Sequence, residues 1–596
     1  MIFDFLPVSR DDMIARDWYY YDFLLITGDA YVDHPSFGVA VIGRVLEKEG
    51  YRVAILPQPD FNDSSEIAKM GKPRYATLIT AGNLDSMVAH YTVSKRIRSE
   101  DYYSPGKKAG KRPDRAVTVY SKLAREAFPD IPIIIGGLEA SLRRFAHYDY
   151  WDDKVHAPIL QSSGADMLVY GMGEKPIVDI AKKLAKKANI GTITDVRGTA
   201  FFAQDADSCV FPFESCPSFD DVKKSREEYA FAAMIQHNEH DPVRGNAVIQ
   251  ECDNKVLIVN PPPDVPTAEE LDRIYALAYT REVHPMYGDM GGVSAINEVQ
   301  FSVIHNRGCF GACNFCALAF HQGRIVASRS HESVVSEVEK IAKHPDFKGN
   351  IHDVGGPTAN FRKPSCKHQL EIGMCTDRKC LAPPCENLDV DHTDYLKLLR
   401  KVSAVEGVKK VFIRSGIRFD YLMLDKNGEF LTELVKHHVS GQLKVAPEHC
   451  VDSVLNYMGK PENKSFENFS DKYQKLNQRY SKRQFLVPYL ISSHPGCTLD
   501  DAIEMAEYLN ATKRYPEQVQ DFYPTPGTLS TCMYYTAIDP RTMKPVHVPK
   551  TKKEKAMQRA LLQSKNPKNR DIVKQALKEA GRQDLIGYGK HCLVRP

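Results

Sequence analysis

The stretch RGCFGACNFCALAFHQGR, residues 307–324, sets three thiols at Cys309, Cys313 and Cys316, four and three residues apart. Grouped thiols in a reducing compartment are metal or cluster ligands rather than disulfide partners. A structural zinc wants four protein ligands, so three are one too few unless His305 or His321 completes the set. A four-iron, four-sulfur cluster on three cysteines instead keeps one iron free of protein, and that iron can take a substrate or cofactor. The small residues Gly308, Gly311 and Ala312 leave room for backbone N–H groups to approach the sulfurs. A second group, Cys366, Cys375, Cys380 and Cys385, puts four thiols into one Pro- and Gly-interrupted loop. Its unequal spacing lacks the CxxC pairs of a common zinc ribbon, and four ligands fit either a structural zinc or a second iron–sulfur cluster. Lys444, Glu448 and His449 in KVAPEH are weaker candidates for acid–base chemistry or a substrate clamp.

These residues need a scaffold, and the chain supplies it in alternating apolar runs and amphipathic segments. With 596 residues it is too long for one core. Its 43% apolar and 26% charged residues fit a globular chain and exclude a disordered or fibrous one. Residues 1–295 read as an α/β domain with a linker. YDFLLITGDA, YRVAILPQP, RYATLITAG, IPIIIGG and ADMLVYGMG are strands, with helices such as GVAVIGRVLEKEG and AVTVYSKLAREAF between them. Continuous apolar strands in βα units imply a doubly wound parallel sheet, with ligands at the strand carboxyl ends. Those ends carry Gly28-Asp29, Gly82-Asn83, Gly136-Gly137 and Gly171-Met172-Gly173-Glu174. A strand, a Pro-rich linker and a helix capped near Thr267 then join this part to the next.

Over residues 296–530 six further βα units predict a partial (β/α)6 TIM-type barrel, whose chemistry belongs at the strand carboxyl ends. The first cysteine loop directly follows its first strand. Residues 531–596 form a basic extension: from Arg541 onward there are 15 Lys and Arg against 4 Asp and Glu, a balance of +11 in a chain whose net charge is +3. Such a tail could touch nucleic-acid phosphates. The simpler expectation is a solvated helical hairpin, since its apolar residues fall at helical spacing and few aromatics interleave with its basic residues. No signal peptide or membrane-spanning apolar run is evident, which predicts a cytoplasmic protein without a membrane partner.

CFGACNFC resembles the CxxxCxxC loop of the radical S-adenosylmethionine (radical SAM) superfamily, in which the aromatic before the last cysteine, here Phe315, lies near the adenine. DVGGPTANF (353–361) resembles the superfamily's second-strand motif. That implies contact of Gly355, Gly356 and Pro357 with the methionine amine, with Pro357 standing where an acidic residue is common. IRSGIR (413–418) matches the position that meets ribose and carboxylate, which implicates Ser415 and Arg418. Together with YDFLLITGDAYVDHPSFGVAVIGRVLE, IIIGGLEASLRRFAHYDYWDD, LKVAPEH and LLQSKNPKNRDIVKQALKEAGRQDLIG, these stretches are similar to the YgiQ-type radical SAM proteins over essentially the whole chain.

The resemblance implies a 4Fe-4S cluster on Cys309, Cys313 and Cys316. It also implies S-adenosylmethionine cleaved reductively to a 5′-deoxyadenosyl radical, an unassigned substrate, and a flavodoxin- or ferredoxin-type electron donor. Methyl or methylthio transfer competes with simple hydrogen abstraction as the reaction. The N-terminal sheet resembles the cobalamin-binding domains of some radical SAM enzymes, and Asp33-His34 resembles their corrin loop, although there the Asp stands two residues before the His. The alternative from another class is a zinc-bearing RNA-binding or scaffold protein with structural cysteines.

Overall fold

A computed structural model describes residues 4–516 and 518–596. Five short runs are parallel strands: β1 (Phe23–Thr27), β2 (Val53–Pro57), β3 (Ala76–Thr80), β4 (Ile133–Ile135) and β5 (Met167–Val169). They are almost wholly buried because helices cover both faces. Leu24 and Ile26 of β1 enter the core with α2 (Ala116–Ala127). Phe23 and Leu25 enter the opposite core with α1 (Gly38–Lys48) and α3 (Glu174–Ala185). The strand order is β2-β1-β3-β4-β5, with Phe23 in register with both Val53 and Ala76. The order reverses between β1 and β3, which places a crevice at the carboxyl ends of those two strands.

The sheet is not purely parallel. Beyond β5 it continues through β6 (Thr199–Ala203), β7 (Phe213–Cys216), β8 (Ala247–Cys252) and β9 (Lys255–Val259), in the order β5-β6-β9-β8-β7. β6 runs antiparallel to β5, β9 to β6, and β8 to β9. β8 and β9 form a hairpin through Asp253-Asn254, with Asp253 at φ +52°. A left-handed Asp at such a turn is a recognised hairpin device.

The second half arranges β10 (Ser302–Ile304), β11 (Asn350–Ile351), β12 (Asp353–Gly355), β13 (Lys410–Val411), β14 (Gln442–Glu448), β15 (Phe485–Ser492) and β16 (Gln520–Asp521) as an arc. β10 pairs with β12, β11 with β13, β14 with β15 and β15 with β16, all parallel. No ladder joins β13 to β14 among the described residues. The interval is spanned by the Ile413 amide donating to the His438 carbonyl at 3.1 Å. The helices α5 (His331–Ala342), α6 (Thr393–Ser403) and α7 (Asn463–Arg479) back this arc, with Val338, Leu399 and Phe469 in its core.

The basic extension does form a helical pair, α9 (Lys552–Leu562) and α10 (Arg570–Glu579). Met557, Leu561, Val573 and Leu577 bury their side chains in a core shared with α8 (Leu499–Thr512) and with the first sheet. No helix among the described residues is long and apolar enough to cross a membrane.

Candidate functional site

β10 delivers the chain to the first thiol loop, and the loop's glycines follow from close approach. Gly308 has φ +78°, and a Cβ there would stand 2.1 Å from the Ile325 carbonyl oxygen. The loop is tied on several sides: the Cys309 amide donates to Gly323 O (3.2 Å), the Cys316 amide to Cys313 O (3.1 Å) and the Asn314 amide to Met458 O (2.9 Å). Cys316 stands at the N-cap of the short helix α4 (Ala317–His321). His305 is occupied elsewhere, with Nε2 at 2.9 Å from Ala359 O and Nδ1 at 3.4 Å from Arg362. Among the described residues, neither His305 nor His321 joins the thiols at the spacing of a single shared metal ion.

The surroundings of the sulfurs fit an iron–sulfur cluster. Burial pushes the Cys309 thiol up and the Cys316 thiol up to about 12, and the neighbouring thiols push the same way. Such thiols ionise only with a compensating positive charge; the buried Arg418 guanidinium supplies part of it, and a metal held by the three sulfurs would supply the rest. Arg418 Nη1 donates to Cys313 Sγ (3.4 Å), while its Nε and Nη2 bond Asp420 at 2.8 and 2.5 Å. Cys309 Sγ and Thr358 Oγ1 are hydrogen-bonded at 3.4 Å. A Cβ on Gly311 would come within 2.4 Å of Arg418 Nη1 and 3.3 Å of Cys309 Sγ, so only glycine leaves this cradle open.

Two cavities meet the loop. The larger, about 620 Å³, lies between the sheet's carboxyl edge and the barrel, with Asp29, Ser36, Asn83 and Gly137 on one wall and Asn306, Gly355, Gly356, Pro357 and Ser415 on the other. Arg307 and Glu174, paired at 2.5 Å, join the walls. The Gly-Gly pair is again dictated by contact: a Cβ on Gly356 would stand 1.7 Å from Asn306 Oδ1, and one on Gly355 would stand 2.1 Å from Ser415 Oγ. Asn306 Oδ1 is buried without a partner. An acceptor left unpaired is costly unless a donor arrives, and the wall it belongs to is the one the SAM resemblance implicates. The smaller cavity, about 270 Å³, is lined by Phe315, Ala446, Glu448, Tyr489, Asp521 and Phe522 inside the barrel.

The residues singled out from sequence therefore divide. Phe315 and Glu448 line the barrel cavity, and Gly355, Gly356, Pro357 and Ser415 line the inter-domain one. Arg418 bonds a thiol sulfur. Glu448 sits at φ +69° in a bulge of β14, and burial pushes its carboxyl up against the pull of Lys460 and Arg418. Lys444 is exposed. His449 is buried, its Nδ1 accepting from the Val451 amide, and burial pushes it down to about 3. His494 has both nitrogens engaged, by Pro495 O and Ser530 Oγ at 2.7 Å each. His34 lies behind the cavity wall, which Pro35 and Ser36 form; its Nδ1 accepts from the Ser36 amide at 3.0 Å, and its Nε2 is buried without a hydrogen-bond partner. Asp33 is locked to Arg44 at 2.5 Å.

Sequence reasoning passed over Asp353, Asn306, Thr358 and Lys379. Asp353 accepts from the Arg414 and Ser415 amides and from the Ser415 hydroxyl, and so fixes the end of the third strand. Lys379 Nζ donates to Ala312 O and Asn314 Oδ1, each at 2.6 Å, and pins the first thiol loop to the second.

Residues 5–302 match the radical SAM N-terminal family, and residues 517–596 match a domain of unknown function, DUF3362. A UPF0313 protein of Clostridium perfringens (strain SM101 / Type A) is 56% identical over 592 residues, covering 99% of this chain and 89% of the relative. A UPF0313 protein of Clostridium botulinum (strain 657 / Type Ba4) is 55% identical, covering 99% and 92%. Among solved structures, the radical S-adenosylmethionine methyltransferase TsrM of Kitasatospora setae, with tryptophan substrate and a SAM analog bound, has a TM-score of 0.46 at 14% identity. That match covers 86% of this chain and 76% of TsrM.

Proposed function

Because this chain belongs to the UPF0313 family and is a radical SAM enzyme, we propose that it cleaves S-adenosylmethionine reductively at the Cys309–Cys316 loop and acts on a substrate held in the barrel. The observation that carries this reading is the cradle itself: three thiols, an open Gly311, and Arg418 and Thr358 at the sulfurs, beside a cavity walled by Gly355 and Gly356. When bound on three thiolates, a 4Fe-4S cluster supplies an open iron and the electron that breaks the sulfonium bond.

The chain's own residues hold and orient. Arg418 and Thr358 donate toward sulfur, which favours the more reduced, more negative state of what the thiolates bind. The bare Gly355-Gly356 edge admits a ligand amine against backbone, and Asn306 Oδ1 is an acceptor for it. Asp353 holds Ser415 where a ribose hydroxyl would meet it. Phe315 gives an apolar wall for the adenine. Glu448, whose carboxyl burial pushes up, lines the barrel cavity, where it can hold or release a proton. An external reductant of flavodoxin or ferredoxin type provides the electron. Against the zinc-bearing scaffold stand the match to the radical SAM N-terminal family and the separation of both histidines from the three-thiol set.

The test is anaerobic reconstitution with iron and sulfide, reduction, addition of S-adenosylmethionine and chromatography for 5′-deoxyadenosine. Wild type is expected to form it, and the Cys309→Ala/Cys313→Ala/Cys316→Ala variant to fall to background, a loss of at least about 1,000-fold. A fully assembled cluster that yields no product with a strong reductant at any S-adenosylmethionine concentration would sink the reading.

A further inference from the structure

We propose that Cys366, Cys375, Cys380 and Cys385 hold a second iron–sulfur cluster, ligated entirely by protein and placed beside the first. The four thiols lie on the loop that follows β12, at the same carboxyl end of the barrel as the first cysteine loop. Their loop is held before any metal arrives. Lys379 reaches across to Ala312 and Asn314, the Met374 amide donates to Asp241 Oδ2 at 2.6 Å, and Arg244 Nε donates to Met374 O at 3.2 Å. The loop folds back on itself: Cys380 Sγ donates to Ser365 Oγ at 3.2 Å, next to Cys366, and the Cys385 amide donates to Cys380 O at 3.0 Å.

Spacing selects the occupant. A tetrahedral zinc with bonds of about 2.3 Å needs its sulfurs about 3.8 Å apart. Among the described residues, no three of these sulfurs lie within 4.8 Å of one another, and the Cys309, Cys313 and Cys316 sulfurs share that wider spread. A cube of iron and sulfide accepts the wider spread, and one ion does not. Four ligands close every iron, so this site cannot bind S-adenosylmethionine as a three-ligand site can. Cys380 and Cys309 pack against the same apolar core, in which Phe310 and Phe361 stack at 3.7 Å. Both groups thus border one apolar core, which suits one-electron transfer from the external reductant, through the closed cluster, to the open one.

Native mass spectrometry of the reconstituted full-length chain under anaerobic conditions counts clusters without any variant. The expected result is two clusters, about eight irons and eight sulfides per chain. The Cys309→Ala/Cys313→Ala/Cys316→Ala variant keeps about four irons and four sulfides and a brown colour while losing 5′-deoxyadenosine formation. A single cluster in wild type that disappears in that variant would overturn the second site and leave the function standing. One zinc and one cluster per chain would do the same. Two clusters without any cleavage would instead overturn the function and leave the second site standing.

Discussion

Cys309, Cys313 and Cys316 share their loop with three glycine and alanine residues and are backed by Arg418, a guanidinium sealed against Asp420. Cys366, Cys375, Cys380 and Cys385 stand in a loop whose Cys375 is exposed and whose Arg378 lies in solvent. Both loops leave the carboxyl ends of neighbouring strands and lean on the same aromatic wall. They differ in ligand number and in how firmly the protein has arranged charge around the sulfurs. Three ligands with a built cradle leave a reactive position, and four ligands in a loop with less buried charge fill every position. The protein invests buried charge where chemistry must happen and economises where an electron need only pass.

The comparison can be broken most forcefully at the two arginines. Arg418→Met strips a buried carboxylate of its partner and should cost about 3–5 kcal/mol of stability, read by urea unfolding of the iron-free protein. Arg378→Ala should leave the unfolding midpoint where it was. Equal effects would mean the two thiol loops are not differently built.

A smaller effect sharpens the same contrast through the histidines behind the first loop. His449 and His494 are both pushed by burial down to about 3, and Phe315 meets the His494 ring edge-on at 6.1 Å. Their folded pKa lies below the unfolded value of about 6.5. The stability they permit is therefore intact above about pH 6.5 and lost as pH falls toward 3, at about 2 kcal/mol for each by pH 5. Urea titrations at pH 8 and pH 5 should show this loss, and His494→Gln should diminish it. A pH dependence unchanged by that substitution would contradict the burial argument. The smallest effect belongs to Lys444→Ala, on an exposed side chain, for which thermal unfolding should not shift.

The parallel strands were legible because β1 to β5 are nearly continuous apolar runs, and the six barrel strands because each apolar stretch ends in Gly, Pro, Ser or a charged residue. The extension β6 to β9 was not. FESC in β7 shows exposed polar residues, and the Asp253-Asn254 turn, although a hairpin signal, reads as an ordinary loop until both flanking strands are known. The three-thiol loop stands out in the sequence by its spacing, and folding sets Arg418 and Thr358 at its sulfurs. Asp353, Thr358 and Asn306 were not legible, because their value comes from neighbours that folding brings in. Asp353 meets Ser415 across 62 residues, and Thr358 meets Cys309 across 49. KVAPEH illustrates the limit within a single strand. Its acidic residue turns into the barrel cavity, its histidine is buried behind it and its lysine is exposed, a division set by the bulge between Val445 and Glu448.

The most direct measurement is electron paramagnetic resonance of the reduced, reconstituted protein before and after addition of S-adenosylmethionine, in wild type and in the Cys366→Ala/Cys375→Ala/Cys380→Ala/Cys385→Ala variant. An open iron on the three-thiol loop predicts a signal that shifts when S-adenosylmethionine binds, and that still shifts in the variant. A signal indifferent to S-adenosylmethionine in wild type, or one whose response vanishes with the four-thiol group alone, would contradict the account.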